Sequence, residues 1–192
     1  MSKRILVIGG AGYIGSHVQK QLLSDGFEVV VYDNLSSGDR NNIFAGAEFI
    51  KGDILDKDAL DKAMKGIDGV VHLAAKKAVG ESMEKPEVYA EKNLSGSFNI
   101  LNAMVNNGVR YIVFSSSAAV YGMPEYTPID ENHPINPINY YGYTKRCIEE
   151  NMEWFSKLGK INYASLRYFN AVGYAKDGSI RSKERNPQNL MP

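Results

Sequence analysis

Short apolar runs alternate with helix-patterned stretches along the whole chain. The run RILVIG at 4–9 is continuous and rich in β-branched residues, which is typical of a strand buried on both faces of a parallel sheet. Apolar residues then recur at helical spacing from Ile14 to Leu23, and Gly26 predicts the end of that helix. Further runs predict strands at 28–32, 48–50, 70–74, 111–114 and 163–166, with helices at 56–64, 86–104 and 140–158.

Regular alternation of strand and helix predicts the fold class. Six strands joined by short helical connections favour an α/β fold in which a parallel sheet is wound on both faces by right-handed crossovers. Ligands of such sheets bind at the carboxyl ends of the strands. The residues directly after each strand are therefore the first candidates for a functional site.

A glycine-rich turn follows the first strand. Gly9, Gly12 and Gly15 form G-x-x-G-x-x-G between a predicted strand and a predicted helix. Such glycines permit a tight turn and let the backbone approach a pyrophosphate at the positive end of the helix. The 18 glycines of the chain give roughly 0.16 chance matches, so the position carries the weight. A Rossmann-type nucleotide-binding turn is expected, and a purely structural glycine turn is the alternative.

Acidic residues follow the second and third strands. Asp33 lies about 20 residues beyond the glycines, where a carboxylate accepts hydrogen bonds from adenine-ribose hydroxyls. Because a 2′-phosphate would face that carboxylate, NAD is favoured over NADP, although Arg40 in the following loop would suit NADP. Asp33 is otherwise a turn former. Asp53 is interpreted as a residue flanking the adenine or as a helix N-cap.

Candidate catalytic groups follow the fifth strand. That strand runs into Ser115-Ser116-Ser117, and Tyr141 and Lys145 form Tyr-x-x-x-Lys at the start of the next helix. The motif alone is expected about once by chance, but residues four apart share a helix face and this pair lies near the carboxyl edge of the sheet. We expect the Lys145 ammonium and a nicotinamide ring to lower the pKa of Tyr141, making it a general base. Ser117 would hold the substrate oxygen.

Composition narrows the possible partners. The 192 residues are 44% hydrophobic and carry 22 basic and 22 acidic side chains, so nucleic acid and anionic membranes are poor partners. The single cysteine, Cys147, favours a reducing compartment, and the short apolar run near the amino terminus predicts neither a signal peptide nor a membrane span. A cytoplasmic protein is expected. Three scattered histidines predict no metal site, and His72 is interpreted as a satisfied core residue.

The chain resembles the extended short-chain dehydrogenase/reductase family. The likeness rests on GGAGYIGSH at 9–17, FSSSAAVYG at 114–122 and YGYTK at 141–145. The segments DNLSSG at 33–38, GDI at 52–54, HLAAKKAVGES at 72–82, LRYFNAVG at 166–173 and NLMP at 189–192 are similar to the branch that epimerises UDP-hexoses at C4. This resemblance implies transient oxidation of the sugar to a 4-keto form with Tyr141 as base, and hence no net redox change.

The same resemblance implies a set of ligand contacts. For NAD it implies Gly9, Gly12, Tyr13, Ile14, Gly15, Asp33, Asn34, Leu35, Ser36, Ser37, Gly38, Asp53, Ile54, Leu73, Ala74, Ala75, Lys77, Asn93, Tyr141, Lys145 and Phe169. For the UDP-sugar it implies Ser117, Tyr141, Asn170 and Asn189. A homodimer through helices 86–106 and 140–158 is also implied.

Length leaves two functions open. Members of this branch are longer, so we expect an NAD-binding domain at 1–175 and, at 176–192, only the start of a substrate-binding region. One hypothesis is a catalytic nucleotide-sugar 4-epimerase, or another epimerase or reductase of the same family. The other is an NAD-binding chain that does not turn over substrate.

Overall fold

The computed structural model describes residues 2–173 and 175–180. Its centre is a six-stranded, fully parallel sheet of order β3-β2-β1-β4-β5-β6. The strands are β1 Arg4–Ile8, β2 Glu28–Asp33, β3 Ala47–Lys51, β4 Gly69–His72, β5 Tyr111–Ser117 and β6 Asn162–Tyr168. The α-helices are α1 Tyr13–Ser24, α2 Lys57–Ala63, α3 Val79–Glu84, α4 Pro86–Tyr89, α5 Gly96–Asn106 and α6 Tyr140–Lys157. This order confirms the predicted doubly wound Rossmann-type sheet.

The sheet is covered by helices on both faces. Side chains of β1, β2, β4 and β5 alternate between the two faces, as the period of a strand requires. On one face Leu6, Ile8 and Phe114 pack with α2, α5 and α6 to form the main core. On the other face Val7 and Val31 pack against α1. Towards β5 and β6 that second face is less covered, and Tyr111 and Leu166 are exposed there.

Several elements differ from the sequence-based prediction, and strand β5 continues three residues beyond the predicted 111–114 to Ser117. The helix expected from Pro86 through Met104 is a succession of α4, a π-helical turn at Ala90–Ser95 and α5. The short helix α3 was not predicted, because its large apolar side chains Val79 and Met83 are both exposed and give no buried periodic face. Strand β4 ends at His72, two residues earlier than expected. No helix among the described residues is long and apolar enough to span a membrane.

Candidate functional site

The glycine turn between β1 and α1 contains glycines of two kinds. A methyl group on Gly9, whose φ is +82°, would lie 2.6 Å from the Ala74 backbone nitrogen, and one on Gly15 would lie 2.5 Å from the Gly9 and Gly10 carbonyl oxygens. These two glycines are therefore required by the packing of the protein itself. A methyl group on Gly12 would meet nothing closer than 3.4 Å. Its bare backbone thus leaves a surface that a ligand can approach closely.

The amino-terminal end of α1 has no side-chain cap and no acidic residue in its first turn. By contrast, Asp56 caps α2 and Asn139 caps α6 through side-chain hydrogen bonds. Free N–H groups and the positive end of the helix dipole favour an anion at Tyr13 and Ile14. Together with the open surface over Gly12, this arrangement fits the pyrophosphate of a dinucleotide.

Asp33 joins the end of β2 to the glycine turn. Its carboxylate accepts hydrogen bonds from the backbone nitrogens of Ala11, at 3.0 Å, and Leu35, at 2.8 Å. Leu35 has a φ of +60°, so the chain turns sharply here. The Asp39 N–H donates to the Ala11 carbonyl at 3.1 Å, which brings the end of this loop back to the glycine turn. Asp33 is therefore a turn former that also lies beside the expected ribose position. Each carboxylate oxygen has a second lone pair for a further donor.

Asp53 and Ile54 lie next to this loop after β3. The Asn34 side-chain amide donates to the Asp53 carboxylate at 2.9 Å, which brings two predicted ligand segments together. Burial opposes ionisation of Asp53, but the Leu55 N–H, the Asn34 amide and the Lys92 charge outweigh it and lower its pKa. The N-cap of α2 is Asp56, so the N-cap interpretation of Asp53 is wrong.

The segment after β4 is fixed by backbone hydrogen bonds. Leu73 and Ala74 both donate to the Ile8 carbonyl, at 2.8 and 3.1 Å, which places them directly beside Gly9. Ala75 and Lys77 follow in the same segment. The buried Asn93 accepts from the Lys76 N–H at 2.8 Å and donates to the Lys76 carbonyl at 3.0 Å. In this structure the Asn93 side chain holds that segment in place.

Ser117, Tyr141 and Lys145 are brought together where β5 ends and α6 begins. Asn139 caps α6 by accepting from the Gly142 N–H at 2.8 Å. A side chain at Gly142 would overlap the Ala119 carbonyl, so only glycine lets the start of α6 lie against the turn after Ser117. The Ser82 hydroxyl, on the unpredicted helix α3, accepts from the Tyr141 N–H at 3.1 Å.

Lys145 is buried and has few polar partners. Its exposed fraction is 2%. Its Nζ donates to the Ser115 carbonyl at 2.8 Å and lies 4.7 Å from the centre of the Phe114 ring and 5.7 Å from that of Tyr141. Burial lowers the pKa of Lys145 to about 7, against the opposing effect of Glu149.

The pKa of Tyr141 differs from the sequence-based expectation. Burial raises it, and the opposing hydrogen bond with Ser117 is the weaker influence. The expectation of a lowered value counted two cations, Lys145 and the nicotinamide ring. Within the protein itself, the cost of burying a phenolate exceeds the help from its neighbours.

His72 at the end of β4 is only partly satisfied. Its Nε2 is 2.8 Å from the Ser97 hydroxyl, but its Nδ1 has no partner among the described residues. Burial, with a smaller contribution from the Lys145 charge, lowers its pKa to about 3, so it is neutral. No group of three or more potential metal ligands occurs among the residues that the structure describes.

The remaining predicted ligand residues follow β6. Phe169 and Asn170 are exposed directly after the strand, at the same edge of the sheet as Ser117. Asn189 lies outside the described residues, as does most of 176–192. Gly173, Asp177 and Ser179 lie against α1, which no local sequence pattern indicates. Lys20 donates to Asp177 at 2.5 Å and to Ser179 at 2.9 Å, and the Tyr13 hydroxyl donates to the Gly173 carbonyl.

Comparison with known proteins gives consistent matches along the chain. UDP-glucose 4-epimerase of Lactobacillus helveticus is 45% identical over 191 residues, covering 98% of this chain and 58% of that protein. The crystal structure of UDP-glucose 4-epimerase from Brucella ovis in complex with NAD superposes with a TM-score of 0.95 at 40% identity, covering 98% of this chain and 58% of that one.

A second solved structure contains both a dinucleotide and a uridine nucleotide. UDP-glucose 4-epimerase from Bifidobacterium longum in complex with NAD+ and UDP has a TM-score of 0.92 at 34% identity, covering 98% of this chain and 60% of that one. The chain therefore spans somewhat more than half the length of the relatives it matches. The profile of the NAD dependent epimerase/dehydratase family matches residues 5–191, and the chain belongs to this family.

Proposed function

We propose that this chain binds NAD and epimerises a UDP-hexose, UDP-glucose or UDP-galactose, at C4 through a transient 4-keto sugar. The observation that carries the proposal is the meeting of Ser117, Tyr141 and Lys145 at the carboxyl edge of the sheet, on the same edge as the open glycine turn. A dinucleotide seated at that turn points its nicotinamide towards β5. Substrate and base would then meet beside the ring.

The dinucleotide is assigned to the glycine turn and the loops next to it. The bare backbone of Gly12 and the uncapped end of α1 suit the pyrophosphate, and the remaining lone pairs of Asp33 suit the ribose hydroxyls. A 2′-phosphate would lie against the Asp33 carboxylate, so NAD is favoured over NADP. Lys145 is assigned to the hydroxyls of the nicotinamide ribose.

The chemistry assigned to the chain is proton transfer and positioning. Tyr141 accepts the proton of the sugar 4-hydroxyl, and Ser117 hydrogen-bonds the same oxygen and holds it in line. The charged form of Lys145 favours the tyrosinate, against the burial that raises the pKa of Tyr141. Bound NAD supplies a hydride acceptor and, once reduced, a donor to either face of the ketone. Ala118 and Ala119 provide no acid or base for a competing elimination of water.

The extent of the substrate site separates two hypotheses. We assign residues 1–175 to the NAD-binding domain and 176–192 to the start of the substrate-binding region. The relatives, which are named as epimerases, are longer than this chain. The alternative function is therefore NAD binding without turnover, in a chain whose described residues hold the dinucleotide but grip the uridine diphosphate weakly.

Assembly and location belong to the same proposal. We assign a homodimer to helices 86–106 and 140–158, since Trp154 and Leu158 are 61% and 66% exposed on the second of them. Trp154 is thus not buried within one chain. Sedimentation velocity at micromolar concentration should show a dimer, and a monomer would contradict this assignment. The single free cysteine, Cys147, is in keeping with the cytoplasm.

The deciding experiment uses the purified 192-residue chain. Dinucleotide released on denaturation should be NAD or NADH, and mainly NADP would contradict the assignment of Asp33. The chain should also interconvert UDP-galactose and UDP-glucose, followed by chromatography of the sugars. Tight NAD binding without interconversion would favour the alternative function, and failure to bind NAD would exclude both.

A further inference from the structure

An ion pair behind Lys145 is unused by the proposed chemistry. Arg167 on β6 bonds the Glu149 carboxylate through Nη2 at 2.8 Å and through Nε at 3.1 and 3.3 Å. Its other terminal nitrogen donates to the Tyr121 hydroxyl at 3.1 Å, and the guanidinium stacks 5.0 Å from the centre of that ring. The pair is largely buried, with side chains 10% exposed for Glu149 and 20% for Arg167. A buried ion pair often adds little to the free energy of unfolding, so stability alone does not account for this one.

Glu149 lies one helical turn after Lys145. Both belong to the buried face of α6, where residues four apart are neighbours. Within the described part of the chain, the Lys145 ammonium has one hydrogen bond, to a neutral carbonyl, and two aromatic rings near it. Among the residues that the structure describes, Glu149 is the one neighbouring charge that favours the ammonium, and it acts against burial.

Other ionisable groups face Lys145 from the surrounding elements. They are His72 on β4, Tyr141 on α6 and, behind Tyr141, the hydrogen-bonded Glu81 and Tyr89 on α3 and α4. His72 is neutral at ordinary pH, and burial raises the pKa values of Tyr141 and Tyr89, so all three are uncharged. Arg167 on β6 is bound to the Glu149 carboxylate.

We propose that Glu149 and Arg167 are positioning residues that set, between them, what fraction of Lys145 is charged. Glu149 holds the ammonium form by its negative charge, and Arg167 moderates it by sharing the carboxylate. Since the Lys145 charge favours the Tyr141 tyrosinate, the pair would set the upper pH limit of the reaction. That last consequence rests on the proposed function. The charge of Lys145 itself does not.

The two members of the pair should have opposite effects. Glu149→Gln removes the favourable charge, so the titration midpoint of Lys145 should fall by about one pH unit. Arg167→Gln leaves the carboxylate without its guanidinium, so the same midpoint should rise. A purely structural ion pair would give shifts of the same sign or none. Glu150→Gln is the matched control, because Glu150 is the next residue of α6 and pairs with Arg146 at the surface.

The measurement is an NMR titration of isotope-labelled lysine Cε in the whole chain without added ligand, with Lys145 assigned by Lys145→Met. Opposite shifts in the two variants and none in Glu150→Gln would support the proposal. Shifts of one sign, or no shift beyond the control, would overturn it. If Glu149→Gln does not fold, Arg167→Gln decides alone, and a lowered midpoint there contradicts the proposal. Failure of epimerase activity would leave this result intact.

Discussion

The glycine turn and the cluster of Ser117, Tyr141 and Lys145 lie at the same edge of the sheet but depend on opposite structural features. The turn depends on the absence of side chains. Neighbouring backbone atoms pack directly against Gly9 and Gly15, and the backbone of Gly12 is open to a ligand. The cluster contains ionisable side chains whose charged forms are disfavoured by burial. Removal from water lowers the pKa of Lys145 and raises the pKa of Tyr141. The dinucleotide recognition proposed for the turn would depend on shape, whereas the proton transfer proposed for the cluster would depend on the electrostatic cost of burial.

This contrast predicts different signs of stability effect in the two regions. Adding a methyl group in the turn should destabilise the fold and weaken binding together. Removing polar atoms from the cluster should end the chemistry while leaving the fold intact or more stable. Three substitutions test the difference.

The largest effect is expected for Tyr141→Phe. Loss of the proposed general base should lower the rate of UDP-galactose interconversion by about 10² to 10⁴, while NAD stays bound because the turn is untouched. Tyr143→Phe is the matched control, two residues further along α6 and half exposed. The measurements are the initial rate of UDP-galactose interconversion and the amount of NAD bound per chain. Unchanged turnover in Tyr141→Phe would mean that another group is the base.

The next largest effect is expected for Gly15→Ala. The new methyl group would lie 2.5 Å from two backbone carbonyl oxygens, which cannot move away as a flexible side chain would. Unfolding free energy should fall by about 1 to 3 kcal/mol and NAD affinity should fall with it. Gly80→Ala is the control, since a methyl group there meets nothing within 4 Å. Urea unfolding gives the free energy of unfolding, and calorimetric titration gives the NAD affinity. Equal values for Gly15→Ala and Gly80→Ala would contradict the proposed steric clash at Gly15.

The smallest effect, and the one of opposite sign, is expected for Lys145→Met. Methionine keeps the length of the side chain and avoids burying an ammonium, so the chain should become more stable at neutral pH by about 1 to 2 kcal/mol. Because the folded pKa is about 7 and the ordinary value 10.5, the unfolded state binds more protons between these pH values. Wild-type stability should therefore rise with pH across that window.

Thermal unfolding from pH 7 to pH 10.5 checks this prediction. The Lys145→Met variant should lack the rise that the wild-type chain shows. A variant less stable than wild type throughout the range would mean that the hydrogen bond to Ser115 and the ring contacts outweigh the cost of burial. The contrast between the two regions would then fail.

Much of the fold and site could be predicted from local patterns. Strands β1, β2 and β5 are continuous apolar runs, and α1 and α6 have apolar residues at helical spacing, so their positions were correct within a few residues. The glycine turn and Tyr141-x-x-x-Lys145 lie within single short segments, and strand order brings their segments to one edge of the sheet. Helix α3 was missed because it is held by Ser82 and Tyr89 rather than by a buried apolar face.

The sequence by itself determined the six strands, the helices with a periodic apolar face and the residue types that follow each strand, because hydrophobic period and glycine placement act over a few neighbouring residues. Only the tertiary structure decided the electrostatics. The low pKa of Lys145 follows from its burial, and the ion pair of Glu149 with Arg167 joins residues 18 positions apart. Charge, burial and ring contacts depend on distances between separate elements, and no local pattern contains those distances.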